Sequence, residues 1–150
     1  MKKFIAFLCG AAFAFSAVNC SATVSSDKIA IAGICPGMTA DEVIRIVGQP
    51  NFKTDDGHEW HYNNFGIEFE DYRPNIVEEV ETRVNSASTP AGVSVGQSEG
   101  VLSSTYGAAD KVERDKYSTE YTYYSDDYSL KIEFKVVNGV IYKIECQLRN

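Results

Sequence analysis

The stretch GMTADEVIRIVGQP, residues 37–50, carries both a start and a stop signal for one short helix, and a fainter copy, GQSEGVLSSTYGAA, follows at residues 96–109. Gly37 and Gly48 recur 59 positions on, as Gly96 and Gly107. A helix this short is not stable alone in water, so each unit must bury its apolar stripe against something else in the chain.

In the first unit Thr39 is placed to cap the helix. Glu42 three residues on completes a capping box, in which each residue's side chain satisfies a backbone N–H of the other. Val43, Ile44, Ile46 and Val47 fall on one broad stripe. Gly48 suits a left-handed residue after the last turn, and Pro50 prevents continuation. In the second unit Ser98 is the expected cap, Val101, Leu102, Thr105 and Tyr106 form the face, and Gly107 ends it. Gly100 inside this helix weakens it by about 1 kcal/mol relative to alanine.

Each helix is followed by alternating segments of the kind that form half-buried antiparallel strands. His58, Trp60 and Tyr62 point one way while Glu59, His61 and Asn63 point the other. Ile67 and Phe69 alternate with Glu68 and Glu70, and residues 76–82 put Ile76 and Val80 on one side. Downstream, residues 111–117 supply a first strand. Tyr121 and Tyr123 stand where Trp60 and Tyr62 stand, and Phe134 matches Phe69. Leu130, Ile132, Phe134 and Val136 then share one face, as do Val140, Tyr142, Ile144, Cys146 and Leu148.

This order predicts an α+β chain of two tandem helix-plus-antiparallel-β-meander repeats, residues 33–85 and 93–150, joined by the linker SASTPAG at 86–92. Each half alone is marginal in size for a core. The two are therefore expected to form one layered body with helices on one face of the sheet.

Residues 1–22 have the organisation of a secretory signal peptide: Lys2 and Lys3, an apolar run from 4 to 17, and small residues Cys20 and Ala22 before a cleavage point. The run is too short to span a bilayer comfortably. Cys20 is also a candidate lipidation residue, although Ala17-Val18-Asn19 before it departs from the usual lipoprotein pattern. After cleavage the chain would hold 12 basic and 21 acidic residues. That balance excludes nucleic acid and anionic membrane surfaces as partners and permits basic ones. The membrane enters only if Cys20 is lipidated, and the expected location is periplasmic or extracellular. Cys35 and Cys146 remain near the two ends of the folded part and form a disulfide candidate in an oxidising compartment, the alternative being two buried thiols.

The helix signature, the Trp60-x-Tyr62 strand, GIEF at 66–69 and a closing strand resemble the helix-and-meander unit of outer-membrane assembly lipoproteins of the SmpA/OmlA (BamE) type. The duplication resembles the tandem architecture of the β-lactamase inhibitory protein (BLIP-like) fold. What the resemblance implies is a non-catalytic protein that binds other proteins, as an envelope assembly factor or as an inhibitor with a concave sheet.

The candidate partner-binding residues are Tyr117, Tyr121, Tyr123, Tyr124 and Tyr128 of KYSTEYTYYSDDY, together with Trp60 and Tyr62. Alternation sends Tyr124 to the face opposite Tyr121 and Tyr123, so the cluster is not entirely core. Tyrosine offers large amphipathic area and is enriched at interfaces, while aromatic cross-strand pairing is the competing explanation. For Trp60 and Tyr62 the alternation with polar residues favours core. The acids of TDDG at 54–57 and Asp126-Asp127 fit turn chemistry. His58 and His61, three apart on a strand, are expected on opposite faces and hence not as a metal pair, and no nucleophile, zinc or phosphate motif is present. No cofactor or metal and no catalytic residue is expected. The reading is an exported, non-enzymatic protein-binding module of the bacterial cell envelope, using its sheet face and tyrosine hairpin to bind another protein. A lipid-anchored assembly factor and a small-ligand-binding domain are the alternatives.

Overall fold

In the computed structural model, which describes residues 23–149, the alternating runs become one sheet of eight antiparallel strands. They are β1 (Phe52–Lys53), β2 (Glu59–His61), β3 (Gly66–Phe69), β4 (Val77–Thr82), β5 (Lys111–Arg114), β6 (Thr119–Tyr124), β7 (Leu130–Val137) and β8 (Val140–Leu148). Their order in space is β1-β2-β3-β4-β8-β7-β6-β5. Helix α1 (Ala40–Val47) precedes β1 and helix α2 (Gly100–Tyr106) precedes β5. The leader expected at 1–22, with Cys20, lies outside the described residues. No helix among the described residues is long and apolar enough to cross a membrane.

The expected pair of helix-plus-meander repeats is corrected by this sheet. β4 pairs with β8 through Glu79–Gln147, Val80–Cys146, Glu81–Glu145 and Thr82–Ile144, so the strands are continuous from β1 to β5. The physical reason is the edge problem. Two separate four-stranded meanders would leave β4 and β8, both carrying alternating apolar side chains, as open templates for pairing, and joining them removes both edges. The helices, of 8 and 7 residues, are too short to form a layer of their own. What remains at the outer edges is a two-residue strand, β1, and the charged, exposed β5.

Strict alternation also fails at two points, where β-bulges intervene. Glu68 pairs with Glu79 but Phe69 with Val77, leaving Glu78 as an extra residue; Lys135 pairs with Lys143 but Val136 with Ile141, leaving Tyr142 extra. A bulge of this kind places two residues opposite one and resets which face each side chain takes. Val77 and Val80 therefore both point inward, in place of the expected Ile76 and Val80. In β8 it is Ile141, Ile144 and Cys146 that are buried, whereas Val140 and Tyr142 are exposed. Aligning the two hairpins at their bulges also sets Phe69 against Val136, not Phe134.

The local signals around α1 act as read. Thr39 Oγ1 accepts from the Glu42 N–H, and the Glu42 carboxylate accepts from the Thr39 N–H at 2.8 Å. The Thr39 N–H and the Thr39 hydroxyl, both donating to the Glu42 carboxylate, hold it below its ordinary range. Thr39→Ala is expected to lower stability by about 1 kcal/mol in urea denaturation; an unchanged midpoint would show that the box is dispensable. Of the stripe, Val43 is fully buried while Ile46 is exposed. Ser98 stands one residue before the N-cap of α2: Glu99 holds that position without a side-chain cap bond, while the Ser98 hydroxyl accepts from the Gly100 N–H at 3.5 Å and its backbone bridges to Val140. The recurring glycines share backbone geometry. Gly37 and Gly96 have φ of 92° and 91°, and their N–H groups donate to Val77 O and Ile141 O, both at 2.8 Å.

One face of the sheet carries the core. Phe69, Val77, Val80, Ile132, Phe134, Ile144 and Cys146 are covered by Val43 of α1, by Leu102 and Tyr106 of α2, and by two further segments outside the α-helices. The first is residues 24–35, whose Ile29, Ile31 and Ile34 are fully buried and whose Val24 bridges to Ser125. The second includes 86–92, expected as a linker, where Ala87 and Thr89 are buried and the Tyr106 hydroxyl donates to Thr89 Oγ1 at 2.9 Å. Cys35 and Cys146 are free thiols packed in this same core.

Candidate functional site: the open face of the sheet

The tyrosine hairpin divides between two environments. Tyr123 is 1% exposed and packs with Tyr106 and Phe134 at ring separations of 5.3 and 6.0 Å. Burial pushes its hydroxyl up to about 12. Tyr121, on the same side, donates its hydroxyl to the Glu99 carboxylate at 2.8 Å. Tyr124 emerges on the other face, where the Arg149 guanidinium lies 4.2 Å from its ring centre and 5.7 Å from that of Tyr128. Tyr117 is 73% exposed in the β5–β6 turn. Trp60 is core, edge-on to Phe69 at 4.7 Å, and Tyr62 stacks on Phe65 while donating to Gly48 O. Of the seven candidate residues, Tyr117, Tyr124 and Tyr128 offer accessible surface, and Trp60 and Tyr123 serve packing.

A second feature arises from strand register. The open face is built from the outward residues of every strand, and neighbours across the ladder form rows. Glu59 stands opposite Glu68, Glu68 opposite Glu79, and Glu79 opposite Gln147. The adjacent row runs His61, Gly66, Glu81, Glu145, Glu133. Three like charges side by side on neighbouring strands are destabilising on their own account.

Gly66 interrupts the second row with no side chain. A methyl group there would lie 3.9 Å from both Glu81 Cγ and His61 Nδ1, in ordinary contact. The bare position opens a hollow of about 390 Å³ whose charged lining is Glu59, His61, Glu68, Glu79, Glu81 and Arg83. Tyr62 and Phe65 close one end. Four carboxylates thus face one cationic guanidinium and one imidazole.

The carboxylates are unequally satisfied. Glu81 is drawn down despite its burial, because Lys143 Nζ lies 2.9 Å away and Arg83 3.6 Å away. Lys143 also pairs with Glu145. Burial, together with the Glu145 charge, pushes the Glu79 carboxyl up to about 7, against the Gln147 amide that donates to it at 2.6 Å. Glu79, Glu81 and Glu145 each place an oxygen within 4.8 Å of the others, close enough to share a cation. The Lys143 ammonium already occupies that role for two of them.

The histidines correct a strand-based expectation. His58 precedes β2, so alternation does not govern its ring, and its Nε2 lies 3.3 Å from Glu68 and 3.7 Å from Asp71. His61 Nε2 lies 3.3 Å from Glu59. Both imidazoles therefore pair with carboxylates of the acidic row.

No protein-family model matches the chain, and no curated protein matches it. Among solved structures it is similar to a DUF4309-family protein, YjgB, of Bacillus subtilis, at 14% identity over 74% of this chain and 78% of that one, with a TM-score of 0.52. An extracellular SCP-domain protein of Bacillus anthracis aligns at 8% identity over 75% of this chain and 43% of that one, with a TM-score of 0.48. The likeness to the Bacillus subtilis protein is one of fold alone.

Proposed function

We propose that this chain is an exported, non-enzymatic protein-binding module that takes a basic segment of its partner onto the acidic half of its open sheet face. The observation that carries this reading is the row Glu59–Glu68–Glu79 beside the bare Gly66, with Glu79 held near neutrality by burial and by Glu145. An arriving ammonium or guanidinium relieves that repulsion, whereas an acidic or apolar segment does not. Tyr124 and Tyr128, both against Arg149, flank the other half of the face and widen the contact. Export rests on the leader-like residues 1–22, and lipid attachment would require Cys20.

The test is titration with a fluorescent lysine- and arginine-rich peptide and an acidic control. The basic peptide is expected to bind preferentially and to weaken as salt is raised. Glu59→Gln and Glu68→Gln are each expected to lower its affinity about two- to fivefold, the range of a partly exposed charge pair. Glu113→Gln on β5, at the far edge of the sheet, should leave it unchanged. Equal losses from all three variants would mean diffuse attraction to an acidic protein and would remove the trough as the site.

A further inference from the structure

The two thiols of the core stand apart from the open face and carry an inference of their own. Cys146 is fully buried on the inward side of β8, and Cys35 sits half-buried in the turn that leads to α1. That turn is pinned to the sheet: Gly37 N–H donates to Val77 O at 2.8 Å and Val77 N–H donates to Met38 O at 2.9 Å. It also lies against β8, since a Cβ on Gly37 would meet Leu148 Cδ2 at 3.8 Å. Gly37 is two residues from Cys35, and Leu148 two from Cys146 on the same strand.

We propose that Cys35 and Cys146 are joined as a disulfide by exchange with an external disulfide donor, fastening the turn before α1 to β8. The Cys35 thiolate attacks one sulfur of the donor, forming a mixed disulfide and releasing one donor thiolate. The Cys146 thiolate then attacks the Cys35 sulfur, releasing the second. Two electrons pass to the donor, whose two thiolates take up the two protons. Cys35 is the first nucleophile because it is the accessible one. Cys146 is a poor thiolate in the folded chain: burial, and then the neighbouring Cys35 charge, push it well up. Exchange therefore runs fastest before the core closes.

The experiment is refolding of the purified protein from denaturant in a buffer of reduced and oxidised glutathione, followed by alkylation in denaturant and peptide mapping. The expected product links tryptic peptides 29–45 and 144–149 and loses that link on reduction. Cys146→Ala is expected to leave glutathione on Cys35, and the linked form should melt above the Cys35→Ser variant. Oxidation of already folded, reduced protein should be at least about tenfold slower than during refolding. Alkylation of both cysteines after refolding, or glutathione stably attached to Cys35 in the unaltered protein, would overturn the proposal.

Discussion

Phe134→Ala is expected to lower the free energy of unfolding by about 3–5 kcal/mol, the range for truncating a buried aromatic residue. Phe134 is fully buried at the centre of β7, paired with Tyr121 on one side and Ile144 on the other. Its ring lies 5.3 Å from Tyr106 and 6.0 Å from Tyr123, so its removal opens a gap where α2 meets the sheet. The two rings that remain, Tyr106 and Tyr123, are held by separate elements and cannot both move to fill it, and the lost dispersion contacts and cavity add to the transfer cost. Urea denaturation followed by tryptophan fluorescence reads the effect, since Trp60 is the single tryptophan and is buried in the same sheet. Tyr124→Ala, one residue beyond Tyr123 but on the open face, is expected to cost far less. Similar losses from the two variants would mean that the inward face is not the load of the fold, and the assignment of faces would fall.

That contrast also marks what could be read from the chain and what could not. Signals that act within a few residues were legible. The Thr39–Glu42 box, the helix ends at Gly48 and Gly107, and the opposition of Tyr124 to Tyr123 all depend on local geometry, and all are present. The bulges at Glu78 and Tyr142 were not, because an extra residue in one strand is defined only by the register of its partner. A period of two carried across them puts Ile76, Val140 and Tyr142 on the inward face. The joining of β4 to β8 pairs residues 68 apart, Glu79 with Gln147, and no local pattern encodes it. Residues 24–35 supply much of the lid on the core, but the run IAIAGI is too short for its pattern to show what it covers.

The acidic trough was hidden for the same reason. Glu59, Glu68 and Glu79 each read as an ordinary outward residue of a separate strand. Only antiparallel register sets them side by side, with Gly66, which has no side chain, in the wall of the hollow beside them. The tyrosines, by contrast, are dense within one short stretch of the sequence. Their roles then diverged with depth: Tyr123 in the core, Tyr124 and Tyr128 beneath Arg149, Tyr117 exposed.

The elevated Glu79 carboxyl makes a second measurable demand on the protein, this time through pH. Its value is about 7 in the folded chain against an ordinary 4.5, raised by burial first and by Glu145 and Glu68 with it, while Gln147 and Lys143 pull the other way. The folded state therefore holds this proton more tightly than the unfolded state does. The stabilising contribution is fully present below about pH 4.5, declines as the pH rises, and is lost once the pH passes about 7. A dry group with this shift would contribute about 3 kcal/mol. Glu79 is only half-buried, so screening by solvent reduces the expected change to about 1–2 kcal/mol. Glu79→Gln removes the proton and keeps the shape and the amide-compatible contact with Gln147. The difference in stability between the variant and the parent should then grow in the variant's favour by that amount between pH 4.5 and pH 8. The same proton governs the trough, whose attraction for a cationic segment strengthens as Glu79 ionises. Affinity for the basic peptide should rise across the interval in which stability falls, and Glu79→Gln should flatten both curves together. Parallel stability curves for parent and variant would show that Glu79 titrates normally and that its neighbours, not its own charge, set the character of the face.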